Sequence, residues 1–549
     1  MSPATWTARG ARLVALVFVG ALLPLAAERG PDRHERLAGE LRRLYAPPSG
    51  PEERWHKRAP VRLPDGREVE RSLAYRDDPG FVAAAAWLVA SRARDDAPLG
   101  AWLLGGVLAT RRAEAEPGLV RALAHPDERV AFEAAQALGA AGSAFSLAPL
   151  ARAAREAASR DVRTAASWAA AEIAQREHAP HSSLELGRDP RLAPGFRRGV
   201  SWWMSERGQD HGAASFRRLA SLGVNWVSIH TWDPLQRGLH DPVFADPGRR
   251  HGVRDLAALV RNAHAAGLRV MLKPHLEMRG FEASEAERRV LRGADSPERR
   301  ALLARFEAQL ASGELLQHNR ITMRTGGDWQ RWFESYRGYI LPFAREAQQA
   351  GVDILCIGRE LDSTVVAREA DWRDVVARIR TIFHGPLTYS ANFDTWQAIG
   401  FWDALDFIGV SAYFPLSDRT DPGLAELEAS WEQALAPLAA ATRRYRKPVL
   451  LTEAGFPAIP NAARAPWREE RVAADVWLQA RCYEATLRAL AREPAVAGVF
   501  FWLWERTSDP PFRDSSHAIV AKPASFAMMR HFLGGATPHR QDAPLASPK

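Results

Sequence analysis

Apolar positions along this 549-residue chain show two textures. Between residues 79 and about 175 they recur at helical spacing on Ala-rich faces. Beyond residue 180, short apolar runs rich in β-branched and aromatic residues alternate with helical patterns. Eight runs read as strands, at 198–203, 224–230, 269–275, 354–360, 386–392, 407–414, 448–455 and 498–504. Runs of this kind suit strands buried on both faces. Helical periodicity covers 214–222, 253–266, 329–350, 372–383 and 474–492 between them. The alternation predicts an α/β fold, a (β/α)8 TIM barrel over 190–535, with its largest insertion, 277–327, after the third strand. A doubly wound sheet would carry a Gly-rich first turn, and none is present.

The helical texture predicts a small all-α domain over 79–180. A turn at His125-Pro126-Asp127 precedes the small-residue helix 130–139, and a similar helix follows 32 residues later, at 161–170. This pairing resembles HEAT-like repeats. A plain Ala-rich bundle without repeat ancestry is the alternative. So short a stack is marginal alone and needs a neighbour to dock on. Residues 28–78 read as an irregular linker with one helix at 35–45, and 536–549 as a disordered tail. At the N-terminus, Arg9 and Arg12 precede an apolar run, 13–23, followed by small residues at Ala26-Ala27. That layout predicts a secretory signal over 1–27, cleaved after Ala27, and hence export. An uncleaved membrane anchor is the other reading, although the run is short for a bilayer span.

Charge narrows the partners. The net charge is +8, with Arg, Asp and Glu interspersed and no basic stripe with interleaved aromatics, so nucleic acid is not expected. A monomer acting on a polysaccharide or oligosaccharide is expected, with a possible protein partner for the helical repeats. Two cysteines, Cys356 and Cys482, exclude a disulfide framework and a cysteine zinc site. A single bond between them stays open. His211, His230, His240, His251 and His275 are scattered without ligand spacing on one element, and His264 falls on a helix face as a structural residue. No metal or cofactor is expected.

Barrel active sites lie at the C-terminal ends of the strands. There the sequence places two carboxylates, Glu360 and Glu453, each after at least four apolar residues. Burying a carboxylate is costly unless it is paired or used. The fourth and seventh strands face each other across the mouth, and glycoside hydrolysis needs two carboxyl groups flanking one bond, about 5–5.5 Å apart in retaining enzymes. Two surface glutamates paired with arginines are the bland alternative. Trp202, Trp203, Trp232, Tyr413, Trp502 and Trp504 gather at the same rim, where aromatic rings can stack on sugars. His230, Lys273, His275 and Asn392 can hydrogen-bond hydroxyls. Of these, Trp203, His230, Trp232, Lys273, His275, Asn392, Tyr413, Trp502 and Trp504 are the candidate substrate-binding residues.

Along 196–531 the chain resembles glycoside hydrolase family 113, a branch of the clan A barrel glycosidases that includes β-1,4-mannanases. The resemblance rests on ordered stretches such as Val270-Met271-Leu272-Lys273-Pro274-His275, Cys356-Ile357-Gly358-Arg359-Glu360-Leu361, Ala412-Tyr413-Phe414-Pro415-Leu416 and Lys447-Pro448-Val449-Leu450-Leu451-Thr452-Glu453. It implies a retaining, endo-acting β-glycosidase on a mannan-like β-1,4 polysaccharide. It also implies that Glu360 is the acid/base and Glu453 the nucleophile, and that Trp502 floors the subsite beside the cleaved bond. A decayed barrel that only binds carbohydrate, or a same-fold hydrolase of another β-glycan, are the rivals.

The chain departs from the family pattern at Arg359, where a small or polar residue is usual. Strand alternation predicts that Arg359 points to the surrounding helices if Glu360 points into the mouth. In the alternative, the strand ends early and the guanidinium enters the cleft, which would depress the pKa of Glu360.

Overall fold

The computed structural model describes residues 31–45, 61–62, 68–69, 75–93, 95–177, 191–203, 212–236, 256–278, 296–301, 318–470, 472–505 and 510–533. The expected signal segment and C-terminal tail, and most of the insertion at 277–327, lie outside them. Among the described residues no helix is long and apolar enough to cross a membrane. The chain divides into two compact units, 1–186 with 507–514, and 187–506 with 515–549.

In the first unit, α1 (Pro31–Leu44) is longer than the helix expected at 35–45 and buries Leu37 and Leu41. A two-residue antiparallel ladder pairs Val61–Arg62 with Glu68–Val69. Six helices follow: α2 (Phe81–Val89), α3 (Asp96–Val107), α4 (Arg112–Ala122), α5 (Glu128–Ala141), α6 (Leu147–Glu156) and α7 (Arg160–Arg176). Asp127 caps α5 by accepting from the Arg129 amide at 2.9 Å, which satisfies one of its orphan donors. Small residues set the spacing. A Cβ on Gly139 would lie 2.5 Å from the Trp168 ring, so α5 approaches α7 this closely only with glycine there.

The second unit is a closed barrel of eight parallel strands in the order β8-β1-β2-β3-β4-β5-β6-β7. They are β1 (Arg197–Trp203), β2 (Trp226–Gln236), β3 (Arg269–Met278), β4 (Ile354–Arg359), β5 (Leu387–Asn392), β6 (Ile408–Ser411), β7 (Val449–Ala454) and β8 (Val496–Phe501). All eight expected strands form. β2 and β3 run several residues further than expected, and β6 stops at Ser411 rather than Phe414. The helices are α8 (Ala213–Ser221), α9 (Leu256–Ala265), α10 (Gly326–Ala350), α11 (Asp362–Ala367), α12 (Glu369–Arg380), α13 (Leu424–Tyr445), α14 (Val476–Leu490) and α15 (Pro523–Leu533). Thr325 and Asp328 form a reciprocal capping box at the start of α10.

Inside the barrel, Trp226, Met271, Ile354, Cys356, Phe407, Leu450 and Phe500 form a buried apolar cluster near the N-terminal strand ends. Further along the strands the interior turns polar. Ser390 Oγ lies 3.0 Å from Ser411 Oγ and 2.7 Å from Thr452 Oγ1, all fully buried. The apolar cluster supplies the stabilising burial, and the polar layer begins the functional end. A cavity of about 300 Å³ opens at the opposite end, lined by Arg197, Trp226, Arg269 and Asp353 among others. Its charges are engaged in scaffold contacts, Arg197 over the Trp226 and Phe407 rings and Arg269 with Asp353. Cys356 and Cys482 are both buried free thiols, so the disulfide left open by the sequence is not formed.

Candidate active site

Glu453 sits on β7 with only 2% of its surface exposed. Its Oε1 receives the ammonium of Lys273, itself fully buried on β3, and its Oε2 accepts from the Tyr413 hydroxyl at 2.9 Å. A buried carboxylate is tolerated when a countercharge and hydrogen bonds are fixed around it. Burial and the neighbouring Glu453 and Glu360 push the Tyr413 phenol well up, so it stays a donor.

Glu360 follows the last residue of β4. Its φ of +51° lies in the left-handed region, which costs a non-glycine residue of order 1–3 kcal/mol. Surrounding bonds hold this turn. The Glu360 amide donates to Ser390 O at 2.8 Å, the Leu361 amide to the Tyr389 hydroxyl at 2.7 Å, and the Tyr336 hydroxyl to Ile357 O at 2.6 Å. Gly358 admits both tyrosines, since a Cβ there would lie 2.9 Å from each.

The turn breaks the alternation expected for Arg359. The Arg359 guanidinium reaches the carboxylate of the residue that follows it. Its Nη1 lies 3.0 Å from Glu360 Oε2, with both side chains largely buried. His318 Nε2, on a short 3-10 turn before α10, lies 3.3 Å from the same oxygen. Burial by itself would raise the pKa of Glu360. The Arg359 guanidinium, His318 and the Ser411 hydroxyl outweigh it and hold the carboxyl well below the usual carboxylate range. Ser411 and Tyr413 therefore join the two carboxylates: Ser411 reaches Glu360, and Tyr413 binds Glu453 within the field of Glu360.

The remaining candidates divide. His230 Nδ1 and His275 Nε2 lie 2.8 Å apart on β2 and β3, both buried, and His275 Nε2 is 3.9 Å from Glu453 Oε1. Burial and nearby cations, Lys273 and Arg359 among them, hold both rings well below the ordinary histidine value, so they are neutral. The histidines that are scattered in sequence thus meet in space. His230, His275 and Glu453 offer ligand atoms within 4.8 Å of one another. The Lys273 ammonium already fills the Glu453 side of that group, and a fixed cation there opposes a metal ion.

Trp502 is half-buried, lies parallel to His275 at 6.3 Å and edge-on to His230 at 5.2 Å, and precedes a cis peptide to Leu503. Asn392 Nδ2 donates to Asp362 Oδ2 at 3.0 Å. Burial pushes the Asp362 carboxyl up to about 6, with the Glu360 charge adding to it. Trp504 is buried, with its amide bonded to Ser201 O at 2.9 Å. Trp202 turns out of the mouth onto Phe216 of α8, at 5.2 Å, and is packing rather than a sugar platform. Trp203 and Trp232 stand at the ends of the β1–β2 and β2–β3 ladders, and their side chains lie outside the described residues.

Sequence reasoning missed His318, Ser411 and Asp362. It also missed a rim pair, Trp467 and Phe393, whose rings stack at 5.3 Å and 18° with the indole half exposed. For Trp467 the available signal was a tryptophan among loop residues.

A (β/α)8 barrel carrying two buried carboxylates on opposite strands of its mouth is the architecture of a glycoside hydrolase. Comparison with known proteins agrees: residues 315–521 match the model of Glycoside Hydrolase Family 113, and residues 85–171 match that of HEAT repeats. Among solved structures, the barrel is similar to the family 113 β-mannanase from Alicyclobacillus acidocaldarius, at 27% identity and a TM-score of 0.50, covering 62% of this chain and 97% of that one. A second family 113 β-1,4-mannanase structure aligns at 22% identity and a TM-score of 0.49, covering 61% and 98%. A family 5 mannosidase from Rhizomucor miehei aligns at 12% identity and a TM-score of 0.40, covering 63% and 97%. No curated protein matches the chain.

Proposed function

We propose that the barrel is a retaining, endo-acting β-glycosidase that hydrolyses a β-1,4-linked, mannan-like polysaccharide by double displacement. The observation that carries this reading is the pair of buried carboxylates, one held by Lys273 and Tyr413 and the other by Arg359, His318 and Ser411. Glu453 attacks the anomeric carbon, the bond from that carbon to the leaving oxygen breaks, and Glu360 gives its proton to that oxygen. In the second half, Glu360 takes a proton from water as the water oxygen attacks the same carbon and Glu453 leaves. Tyr413 and Lys273 orient the nucleophile. Trp502 floors the adjacent subsite against the neutral His230–His275 pair. Asn392, Trp203, Trp232 and Trp504 complete the candidate sugar contacts.

We assign this chemistry to the segment 190–535 and a protein-docking role to the helical segment 79–180. The N-terminal apolar segment exports the chain. Release of reducing ends from a panel of β-glycans, with Glu453→Ala as control, tests the reading. Mannan cleavage with retained anomeric configuration supports it, and turnover surviving in Glu453→Ala rejects it.

One observation favours a second reading, a barrel that binds glycans without cleaving them. Arg359 holds the residue that must act as acid in its ionised form, as a decayed site would allow. Binding of oligosaccharides without turnover of any substrate, activated aryl glycosides included, would select it.

A further inference from the structure

The barrel interior beneath the two carboxylates carries hydroxyls where such barrels are usually filled by Val, Ile or Leu. Ser390 on β5, Ser411 on β6 and Thr452 on β7 are each 0% exposed. A hydroxyl buried this deeply is costly without a partner, and these hydroxyls serve one another. Ser390 Oγ stands in the middle, 3.0 Å from Ser411 Oγ and 2.7 Å from Thr452 Oγ1. The row runs from one carboxylate to the other. Thr452 directly precedes Glu453, and the Ser411 hydroxyl bonds the Glu360 carboxylate. Ser390 also holds Glu360 through the main chain, its carbonyl accepting the Glu360 amide at 2.8 Å.

Counting protons fixes the direction of the row. Each hydroxyl has a single proton to give. An ionised carboxylate only accepts, so Ser411 spends its proton on Glu360. Ser390 must then give its own to Ser411, and Thr452 must give its own to Ser390. The O–H dipoles therefore all point toward Glu360. Aligned hydrogen bonds polarise one another, so each hydroxyl behind Ser411 strengthens the donor at the end. When Glu360 takes up a proton, the oxygen that already accepts from Ser411 is closed to it. Opening that oxygen would require the whole row to turn round together. The row thereby holds the carboxyl in one orientation and confines its proton to the other oxygen.

We infer that Ser390 is a positioning residue for the reaction: acting through Ser411, it aligns the Glu360 carboxyl for proton transfer, and Thr452 feeds the row from the side of the nucleophile. This rests on the glycosidase reading and adds to its machinery. With no exposed surface, Ser390 does not touch substrate. Arg359 and His318 supply charge to Glu360, and the row supplies direction. A misaligned acid slows the step that must protonate the leaving oxygen and leaves binding alone. Its loss is therefore read in kcat, not in KM, and most strongly where the leaving group is poor.

The test uses the full chain and has two arms. In the first, Ser390→Ala, Ser390→Cys and Thr452→Val act on β-1,4-mannohexaose and on aryl β-mannobiosides of graded leaving-group acidity. Ser390→Ala should lower kcat on the hexasaccharide about tenfold, the order of one hydrogen bond, with KM within about twofold. The deficit should shrink as the leaving group improves. Thr452→Val, one hydroxyl further from Glu360, should show a smaller loss of the same kind. Ser390→Cys, which keeps a weak donor, should recover part of it. The second arm needs no turnover. Urea unfolding of the parent, Ser390→Ala, Glu360→Ala and the double variant closes a double-mutant cycle. Ser390→Ala should lower the folding constant at least about twofold more with Glu360 present than without it. If Ser390→Ala does not fold, Thr452→Val takes its place in both arms. Equal losses in the cycle overturn the inference, as does a deficit that is the same for every leaving group, or a Thr452→Val loss that exceeds that of Ser390→Ala. Coupling in the cycle without turnover of any substrate would keep the directed row and remove the glycosidase reading. Turnover by the parent without coupling would do the reverse.

Discussion

Arg359 and Glu360 are neighbours in sequence, yet their side chains meet, Nη1 to Oε2, at 3.0 Å. Consecutive residues of an extended strand point to opposite faces. The left-handed φ of +51° at Glu360 ends the strand and turns its carboxyl back to the guanidinium. The ion pair is thus a product of backbone geometry as much as of residue choice.

The pair sets the pH dependence. The first chemical step on a neutral oligosaccharide needs Glu360 protonated, and Arg359 favours the charged form. Removing the cation moves the Glu360 pKa upward. Arg359→Thr should therefore shift the alkaline limb of the kcat/KM profile up by about 1–3 pH units. An unmoved limb would mean that Arg359 does not act on the general acid.

The Lys273–Glu453 pair is buried on both sides, with side chains 0% and 3% exposed. Lys273→Met leaves Glu453 without its cation and should destabilise the barrel by about 3–5 kcal/mol. Lys273→Met with Glu453→Leu removes both charges and should recover most of that loss. Urea unfolding of the three variants checks this. A single Lys273→Met variant within about 1 kcal/mol of the parent would show that water reaches the pair.

The two carboxylates should fail differently. Glu453→Ala should abolish turnover of every substrate. Glu360→Ala should still release a good leaving group, which needs no proton, and then stall as a glycosyl-enzyme. Azide should relieve the stall and give a β-glycosyl azide. Equal sensitivity of both variants to leaving-group quality would reverse or cancel the assigned roles.

The sequence carries the barrel because its strands are buried on both faces and so appear as unbroken apolar runs, with Glu360 and Glu453 standing out at their ends. It does not carry register. His230 is aligned with Lys273 across the β2–β3 ladder, yet its ring meets His275 two residues further on. Nor does it carry departures from strand geometry: nothing in Gly358-Arg359-Glu360 announces the left-handed turn. His318 lies 42 residues before Glu360 in an aperiodic segment, so no pattern links the two. Trp202 shows the reverse error, an aromatic at a strand end that faces α8 instead of the mouth.

In the helical unit, Glu133 on α5 is 6% exposed and forms no hydrogen bond or ion pair among the described residues. Burial pushes its carboxyl up to about 8 from 4.5. The native state therefore holds a proton that the unfolded chain releases, and stability falls as pH rises from about 4.5 to about 8. Glu133→Gln should stabilise the unit by up to about 3 kcal/mol at pH 7 and by nothing near pH 4. Hydrogen exchange of the α5 amides at both pH values measures this. A gain that is the same at both would point to packing rather than to the charge.

Endo action needs sugar contacts beyond the cleaved bond, and the rim supplies a candidate. The Trp467 indole is 50% exposed and stacked on Phe393 at 5.3 Å. Its loop is tied to the nucleophile. The ring nitrogen His517 Nε2 lies 2.7 Å from Pro466 O, the imidazole stands edge-on to Tyr413 at 6.1 Å, and Tyr413 donates to Glu453. A flat indole held open in this way can carry a pyranose face at a distal subsite. Losing one such ring costs about 1 kcal/mol, or roughly fivefold in binding. Trp467→Ala should therefore raise KM about fivefold for a hexasaccharide, with kcat unchanged and aryl monoglycoside kinetics within about twofold. The exposed site separates that pattern from a folding defect, since surface substitutions are usually worth within about 0.5 kcal/mol. An exo enzyme, which holds only the chain end, would show the same KM for long and short substrates in both proteins. That result would remove both the distal subsite and the endo assignment.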